Sequence, residues 1–237
     1  MDSIGAKFIK DCSYTAVSRG TEPYTVGDPS FPPLDGKLIQ LPQPTYPEMT
    51  LTTALKVRRS YRRFTGEPIS LETLSWLVWA CCGITERRGE HHAVRTNPSA
   101  GATFAFETLV AVNAVTGLDP GVYAVDVEKF ALRQTVAHAM GDALAEACLG
   151  QRNMASAAVN FAWAMIPDRI TARYADRGYR YILLDLGHLG QSLHLAAEAA
   201  GLGCCAIGAF KDDEVNTVLE VPPDYPVLYL GTVGVKA

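Results

Sequence analysis

Apolar and polar positions along the chain follow two periods. Behind Ser70, which suits a helix N-cap, Leu71, Leu74, Leu77, Val78 and Cys81 fall on one helical face. Gly83 is placed to end that helix in the left-handed conformation common after a C-terminus. A longer stripe of Ile182, Leu186, Leu189, Leu193, Ala196, Ala197 and Ala200 predicts a helix over 179–200, stopped by Gly201. Shorter helices are expected over 50–59 and 138–149. Runs rich in β-branched and aromatic residues predict strands over 106–115, 121–126, 159–166, 205–210 and 225–235, with 130–134 as hairpin partner to 121–126. Residues 85–98 are polar and read as a loop.

Helices and strands are mixed without regular βαβ alternation, which favours an α+β fold. Residues 1–49 are set apart by seven prolines (Pro23, Pro29, Pro32, Pro33, Pro42, Pro44 and Pro47), which oppose long helices and interior strands. They read as an extended arm: either a loose tail or, given Phe31, Leu34, Leu38, Ile39 and Leu41, a strap over another surface. Residues 50–237 form the domain proper.

Composition narrows the classes. In 237 residues, 48% are hydrophobic and 19% charged, too apolar for a disordered chain. A net charge of −4 argues against a general nucleic-acid binder. No apolar run approaches the roughly 20 residues of a membrane span, and the first residues lack a signal peptide's apolar core. A soluble, cytoplasmic protein is expected. The six cysteines (Cys12, Cys81, Cys82, Cys148, Cys204 and Cys205) show no metal-ligand spacing and sit mostly in apolar segments, as buried inert thiols do. No metal site is expected.

Three segments carry candidate chemistry. Residues 56–63 hold five positive charges (Lys56, Arg58, Arg59, Arg62, Arg63) around Ser60 in a net acidic chain. Either a bound phosphate, gripped by guanidinium forks and a serine hydroxyl, or an ordinary solvated face accounts for them. Asn97-Pro98-Ser99-Ala100-Gly101-Ala102 is either a close-approach loop for a ligand or a simple turn. Gly201-Leu202-Gly203-Cys204-Cys205-Ala206-Ile207-Gly208 has glycines closing a helix and entering a strand, the reverse of a dinucleotide-binding fingerprint. His91 and His92 read as exposed. His188, one turn from both Asp185 and Ser192, faces either a polar cavity or an interface. No G-x-S-x-G elbow supports hydrolase chemistry.

In this order and spacing, Arg58-Arg59-Ser60-Tyr61-Arg62-Arg63-Phe64, Pro98-Ser99-Ala100-Gly101, Asp185-Leu186-Gly187-His188-Leu189-Gly190-Gln191 and the 201–208 stretch resemble the nitroreductase family of flavin enzymes. Within that family, Gly121-Val122-Tyr123, the segment Arg173-Tyr174-Ala175-Asp176-Arg177-Gly178-Tyr179-Arg180-Tyr181 and the proline-rich arm are similar to SagB/McbC-type dehydrogenases, which act on azoline rings in modified peptides. The resemblance implies a mainly antiparallel central sheet flanked by helices, in a homodimer with a flavin at the subunit interface. It implies FMN held by Arg58 at the phosphate and by Arg59, Ser60 and Arg62. Pro98, Ser99, Ala100 and Gly101 would line the partner's flavin. Ala206, Ile207 and Gly208 would lie beside the ring, with the Gly208 N–H near N5. It places Arg173 and Tyr174 at the catalytic position, acting on a small molecule or peptide. Azoline oxidases carry lysine where Arg173 stands, and an arginine stays protonated and is no general base. Tyr174 is left to move a proton. An NAD(P)H-dependent nitro or quinone reductase and a non-catalytic partner protein of the same fold are the alternatives.

Overall fold

The computed structural model of the chain describes residues 3–13, 37–88 and 93–237. Pro23, Pro29, Phe31, Pro32, Pro33, Leu34, His91 and His92 lie outside the described residues. Within the proline-rich first part, Ile4–Asp11 is a helix (α1) and Leu38–Gln40 a short strand (β1). The remaining strands of the main sheet are β4 (Phe106–Val112), β5 (Gly121–Asp126), β6 (Ala131–Val136), β7 (Val159–Met165), β8 (Gly203–Ile207) and β9 (Val227–Gly234). They form one seven-stranded sheet in the order β1-β6-β5-β4-β7-β9-β8, every neighbouring pair antiparallel. Among the described residues of the proline-rich segment, β1 joins the sheet at its edge, where a strand needs hydrogen bonds on one side alone.

The two-residue period of the strands sorts their side chains into two cores. Phe161, Trp163, Val110 and Tyr123 point to the face covered by α3 (Leu71–Cys82) and α7 (Arg177–Ala199). Ala162, Ala164, Leu109 and Ala124 point to the face covered by α4 (Gly141–Ala147) and α8 (Asp212–Val218). β7 is buried along its whole length, as a central strand covered on both faces must be. The result is an α+β protein with one antiparallel sheet between two helical layers.

The structure corrects several expectations. Residues 85–98 are no plain loop: β2 (Ile84–Arg87) and β3 (Ala93–Arg95) pair as an antiparallel ribbon outside the main sheet. Backbone pairing satisfies the ribbon while the polar side chains of Thr85, Glu86 and Arg87 on β2 stay exposed, so no apolar alternation marks it. Gly83 is not left-handed, at φ −61° and ψ 144°; a Cβ there would lie 2.4 Å from the Trp79 ring, so glycine serves close packing. The helix expected over 50–59 (α2) spans only Leu51–Val57, and Arg58 is already extended, so the basic segment leaves the helix as open chain. Two helices carried no strong stripe: α6 (Pro167–Tyr174), started by proline at N1, and α8. A four-residue helix, Asn153–Ser156 (α5), completes the set.

Between α6 and α7, Ala175 sits at φ 45° and ψ −144°, close to a region that glycine alone enters readily. Its N–H still bonds the Thr171 carbonyl at 2.7 Å, so the turn is held against that strain. Ala175→Gly is expected to stabilise the chain by about 1 kcal/mol. Urea unfolding measures it, and a loss of stability contradicts the strain.

Candidate functional site

The basic segment is fastened to the sheet's last strand. Ser60 bridges Cys204 in parallel, the Tyr61 N–H donates to the Cys204 carbonyl at 2.8 Å, and Phe64 bridges Lys236. Residues 60 and 61 therefore meet β8 at its outer edge, while residues 63–65 turn to the chain beyond β9, where the Thr65 N–H donates to the Val235 carbonyl and the Ala237 N–H to the Arg63 carbonyl, both at 3.1 Å. Backbone groups alternate in direction along a strand, so the Ala206 N–H is aimed to the same outer edge as Cys204. Just beyond, a Cβ on Gly208 would meet nothing within 4 Å, which leaves that position open to approach.

The arginines divide by role. Arg59 turns back and donates to the carbonyls of Lys56 (3.0 Å) and Arg58 (2.7 Å), closing the end of α2. Arg58 lies beside His194 and Cys204, and Arg62 beside Cys205, in each case offsetting part of the rise that burial imposes on the thiol. Among the described residues, none of Lys56, Arg58, Arg59, Arg62 and Arg63 pairs with a carboxylate. Crowded, uncompensated cations repel, and an anion placed among them relieves that repulsion.

A second group forms around Asp185 on α7. Ser99 donates to its carboxylate at 2.6 Å and the Ala100 N–H at 3.1 Å, while the Phe104 N–H donates to the Ser99 hydroxyl at 3.0 Å. Burial raises Asp185 above the usual carboxylate range; the Ser99 and Ala100 hydrogen bonds and the nearby His188 oppose the rise. One turn before the loop, Asn97 bonds the Ala80 and Cys81 carbonyls at 2.8 Å and accepts from Ser192. These contacts fix a loop in which Gly101, Ala102 and Phe104 all have positive φ.

Arg173 and Tyr174, at the end of α6, close on the same loop. Arg173 donates to the Gly101 carbonyl at 3.1 Å. A Cβ on Gly101 would lie 2.5 Å from the Tyr174 hydroxyl, so the tyrosine rests directly on the glycine. The Tyr174 ring meets Tyr181 edge-on at 5.0 Å. The candidate residues thus form two groups: Arg58, Ser60 and Arg62 with Ala206, Ile207 and Gly208, and Pro98, Ser99, Ala100 and Gly101 with Arg173 and Tyr174. Helix α7 links them, bearing Asp185 under the loop and His194 beside Arg58. His188 is exposed on its outer face.

Sequence reasoning overlooked Asp185 as the loop's anchor, named Asn97 and Ser192 without their bonds to each other and to α3, and missed His194. The legible signal was Asp185 itself, an acid set within the apolar stripe of α7. The cysteines are all free and buried, with Cys82 and Cys148 pushed up to about 11 by burial. Such thiols are poor nucleophiles at neutral pH. Among the described residues no group of three acidic, histidine or cysteine side chains could hold a metal ion, and no helix is long and apolar enough to cross a membrane.

An antiparallel sheet between helical layers, with a strip of unpaired cations against its edge strand, defines an α+β protein that concentrates positive charge at that edge. The nitroreductase family model matches residues 55–235, and the chain belongs to that family, whose members are generally flavin-dependent oxidoreductases. It is 35% identical to a protein of Methanocaldococcus jannaschii named as a nitroreductase, over 82% of this chain and 96% of that one. A crystal structure of a protein from Anabaena variabilis, also named as a nitroreductase, superimposes with a TM-score of 0.75 at 30% identity, over 91% of this chain. The chain spans 45% of that protein's length. The E. coli microcin synthetase McbBCD complex with truncated pro-MccB17 contains a chain of the same fold, at TM-score 0.63 and 16% identity, over 96% of this chain and 91% of that chain.

Asp185→Ala would strip the acceptors from Ser99 and Ala100 and should destabilise the chain by about 1–3 kcal/mol, with Asp185→Asn losing less. The pH dependence has a definite sign. A raised native pKa means the native state binds more protons than the unfolded one between about pH 4 and the native value, so wild-type stability falls with rising pH there. Urea unfolding across that window should show wild type losing ground to Asp185→Asn as pH rises.

Proposed function

We propose that the chain is an FMN-dependent dehydrogenase of the SagB type, oxidising a small molecule or a peptide-derived azoline. The observation that carries this is the uncompensated pair Arg58 and Arg62 flanking Ser60 on the outer edge of β8. The residue set fits FMN: guanidinium groups for a phosphate, an outward Ala206 amide, an open Gly208 and a glycine at 101 where a Cβ would collide. Arg58 would engage the phosphate, with Ser60 and Arg62 towards the ribityl chain and the N1/O2 edge of the ring. A cation at that edge favours the reduced, anionic ring. Bound FMN supplies the hydride acceptor; the chain supplies binding, orientation and, at the Tyr174 hydroxyl, a place to hold or relay a proton. Similarity to the microcin synthetase chain and the Arg173–Tyr181 segment support the peptide-modifying reading.

Arg173 favours a second reading. It is tied to the Gly101 carbonyl and cannot abstract a proton, which suits NAD(P)H-dependent reduction of nitro compounds or quinones, with Tyr174 as donor.

Dimerisation belongs to the same proposal. α2 packs beside α7, and both present apolar side chains to solvent: Leu51, Leu55 and Val57 on α2, Leu183 and Leu184 on α7. Covering them with a second copy would remove a costly apolar surface and bring the partner's 98–101 loop towards the flavin.

The purified protein is expected to be yellow and to release FMN on denaturation. Arg58→Ala with Arg62→Ala should weaken FMN binding by about tenfold or more per arginine, as expected for charge-assisted hydrogen bonds. Unchanged affinity in a folded double variant would sink the assignment. Anaerobic titration with NADH, NADPH and thiazoline or oxazoline compounds separates the two readings by which reagent bleaches the flavin. Leu184→Asp should shift the sedimentation profile from dimer to monomer.

A further inference from the structure

Helix α6 and the first turn of α7 carry four arginines, and three of them are committed within the chain. Arg169 donates to the Phe104 carbonyl and pairs with Glu107. Arg177 and Arg180 donate to the carbonyls of Cys12 and Ile9 at the end of α1. Of the four, only Arg173 is exposed, and its one bond to the chain runs from Nη1 to the Gly101 carbonyl at 3.1 Å. Among the described residues its Nε and Nη2 donate to nothing, and neither Asp168 nor Asp176 pairs with it. The neighbouring Tyr174 hydroxyl likewise has no hydrogen-bond partner among the described residues.

Exposed as it is, the Arg173 side chain is held in place. Its stem lies across Gly101, where a Cβ would come within 3.1 Å of Cδ and 3.0 Å of Nη1. Its guanidinium carbon stands 5.5 Å from the centre of the Tyr174 ring, a cation–π contact. With Nη1 tied to a carbonyl, the Nε–Nη2 edge of the fork is left over. That edge offers two parallel N–H donors, the arrangement a carboxylate accepts bidentately. A guanidinium restrained in advance also loses less freedom on binding a ligand. The same imagined Cβ would lie 2.5 Å from the Tyr174 hydroxyl, so guanidinium and hydroxyl flank one bare stretch of backbone at Gly101.

We propose that Arg173 is a carboxylate anchor and that the substrate of this site carries a free carboxylate beside its reacting atom. The Nε–Nη2 edge takes the carboxylate, and the atom next to it comes to the Tyr174 hydroxyl. The inference rests on the FMN reading and deepens it by naming the substrate class. An azoline within a peptide presents a neutral amide at the anchor, whereas a small azoline carboxylate, or an azoline at a peptide's C-terminus, presents the anion. In the reductase reading the same fork selects nitrobenzoates over neutral nitroaromatics. A permanently charged arginine suits an anchor for the reason that it does not suit a base.

Titration of the FMN-loaded full chain with thiazole-4-carboxylate and with its methyl ester, followed by the absorbance of the bound flavin, reads binding without turnover. 4-Nitrobenzoate and its methyl ester form a second pair. Wild type is expected to bind the carboxylate about tenfold more tightly than the ester in at least one pair. Arg173→Gln, whose amide can still donate to the Gly101 carbonyl, should erase that preference while ester affinity and FMN content stay unchanged. Arg173→Lys, a point charge without a fork, should keep only part of it. Should neither variant fold, phenylglyoxal labelling of wild type with peptide mapping carries the same test: the carboxylate, and not the ester, is expected to protect Arg173. Equal affinity for carboxylate and ester in both pairs, no binding of any of the four, a preference that survives Arg173→Gln, or labelling of Arg173 that the carboxylate leaves unchanged overturns the anchor and leaves the flavin reading standing. A chain that takes up no FMN overturns both together.

Discussion

The packing of α7 against one face of the antiparallel sheet is the constraint on which the site depends. Ile182, Leu186, Leu189, Leu193, Ala196 and Ala197 bury a continuous stripe beneath a 23-residue helix. Each Leu or Ile removed from water in this way contributes about 1.5–3 kcal/mol, which makes the helix a stable ruler. At 1.5 Å per residue, Asp185 and His194 stand about 13 Å apart along it. One end of that span holds the 98–104 loop, and the other faces the basic segment on β8. Neither group has a scaffold of its own. Both are short stretches of irregular chain, placed by polar side chains that rise from a rigid apolar element.

Anchoring of this kind is paid for in conformational strain. The loop has positive φ at Gly101, Ala102 and Phe104, and the α6–α7 turn has it at Ala175. Such residues persist only where their surroundings over-determine them. Here Asp185 holds Ser99 and Ala100, while Arg169 both donates to the Phe104 carbonyl at 3.2 Å and pairs with the half-buried Glu107. Arg173 and Tyr174 close over Gly101 from the adjacent turn. Strain and restraint therefore meet at the two places that bear the candidate catalytic residues. That is where a preorganised site stores it, and where an idealised loop would have none.

The major strands and α7 were legible because each buries a periodic apolar set. The α+β class followed from hairpins and from the absence of βαβ alternation, while the mainly antiparallel sheet was implied by the family resemblance. The ribbon of β2 and β3 was not legible, since its pairing satisfies backbone groups without burying a face. α6 and α8 were missed because they are short and start on Pro167 and Asp212, so polar end signals outweigh any stripe. At the site, the basic segment stood out as a charge anomaly, but its extended course did not. That course depends on Ser60 and Tyr61 finding Cys204, a pairing 144 positions away. Asp185, Asn97 and Ser192 belong to the same class of long-range contact. Only Asp185 left a trace, as an acid inside an apolar stripe.

The charge distribution connects these observations. A chain of net −4 keeps five cations on eight consecutive residues, and no carboxylate among the described residues is placed to neutralise them. Glu198, which acts on His194 and Cys204 together with Arg58, is paired with Lys236. In that pair Glu198 makes no ion pair with Arg58, and the pair's own contribution to stability is small. Were Glu198 free to swing to Arg58, it would compete with any incoming anion.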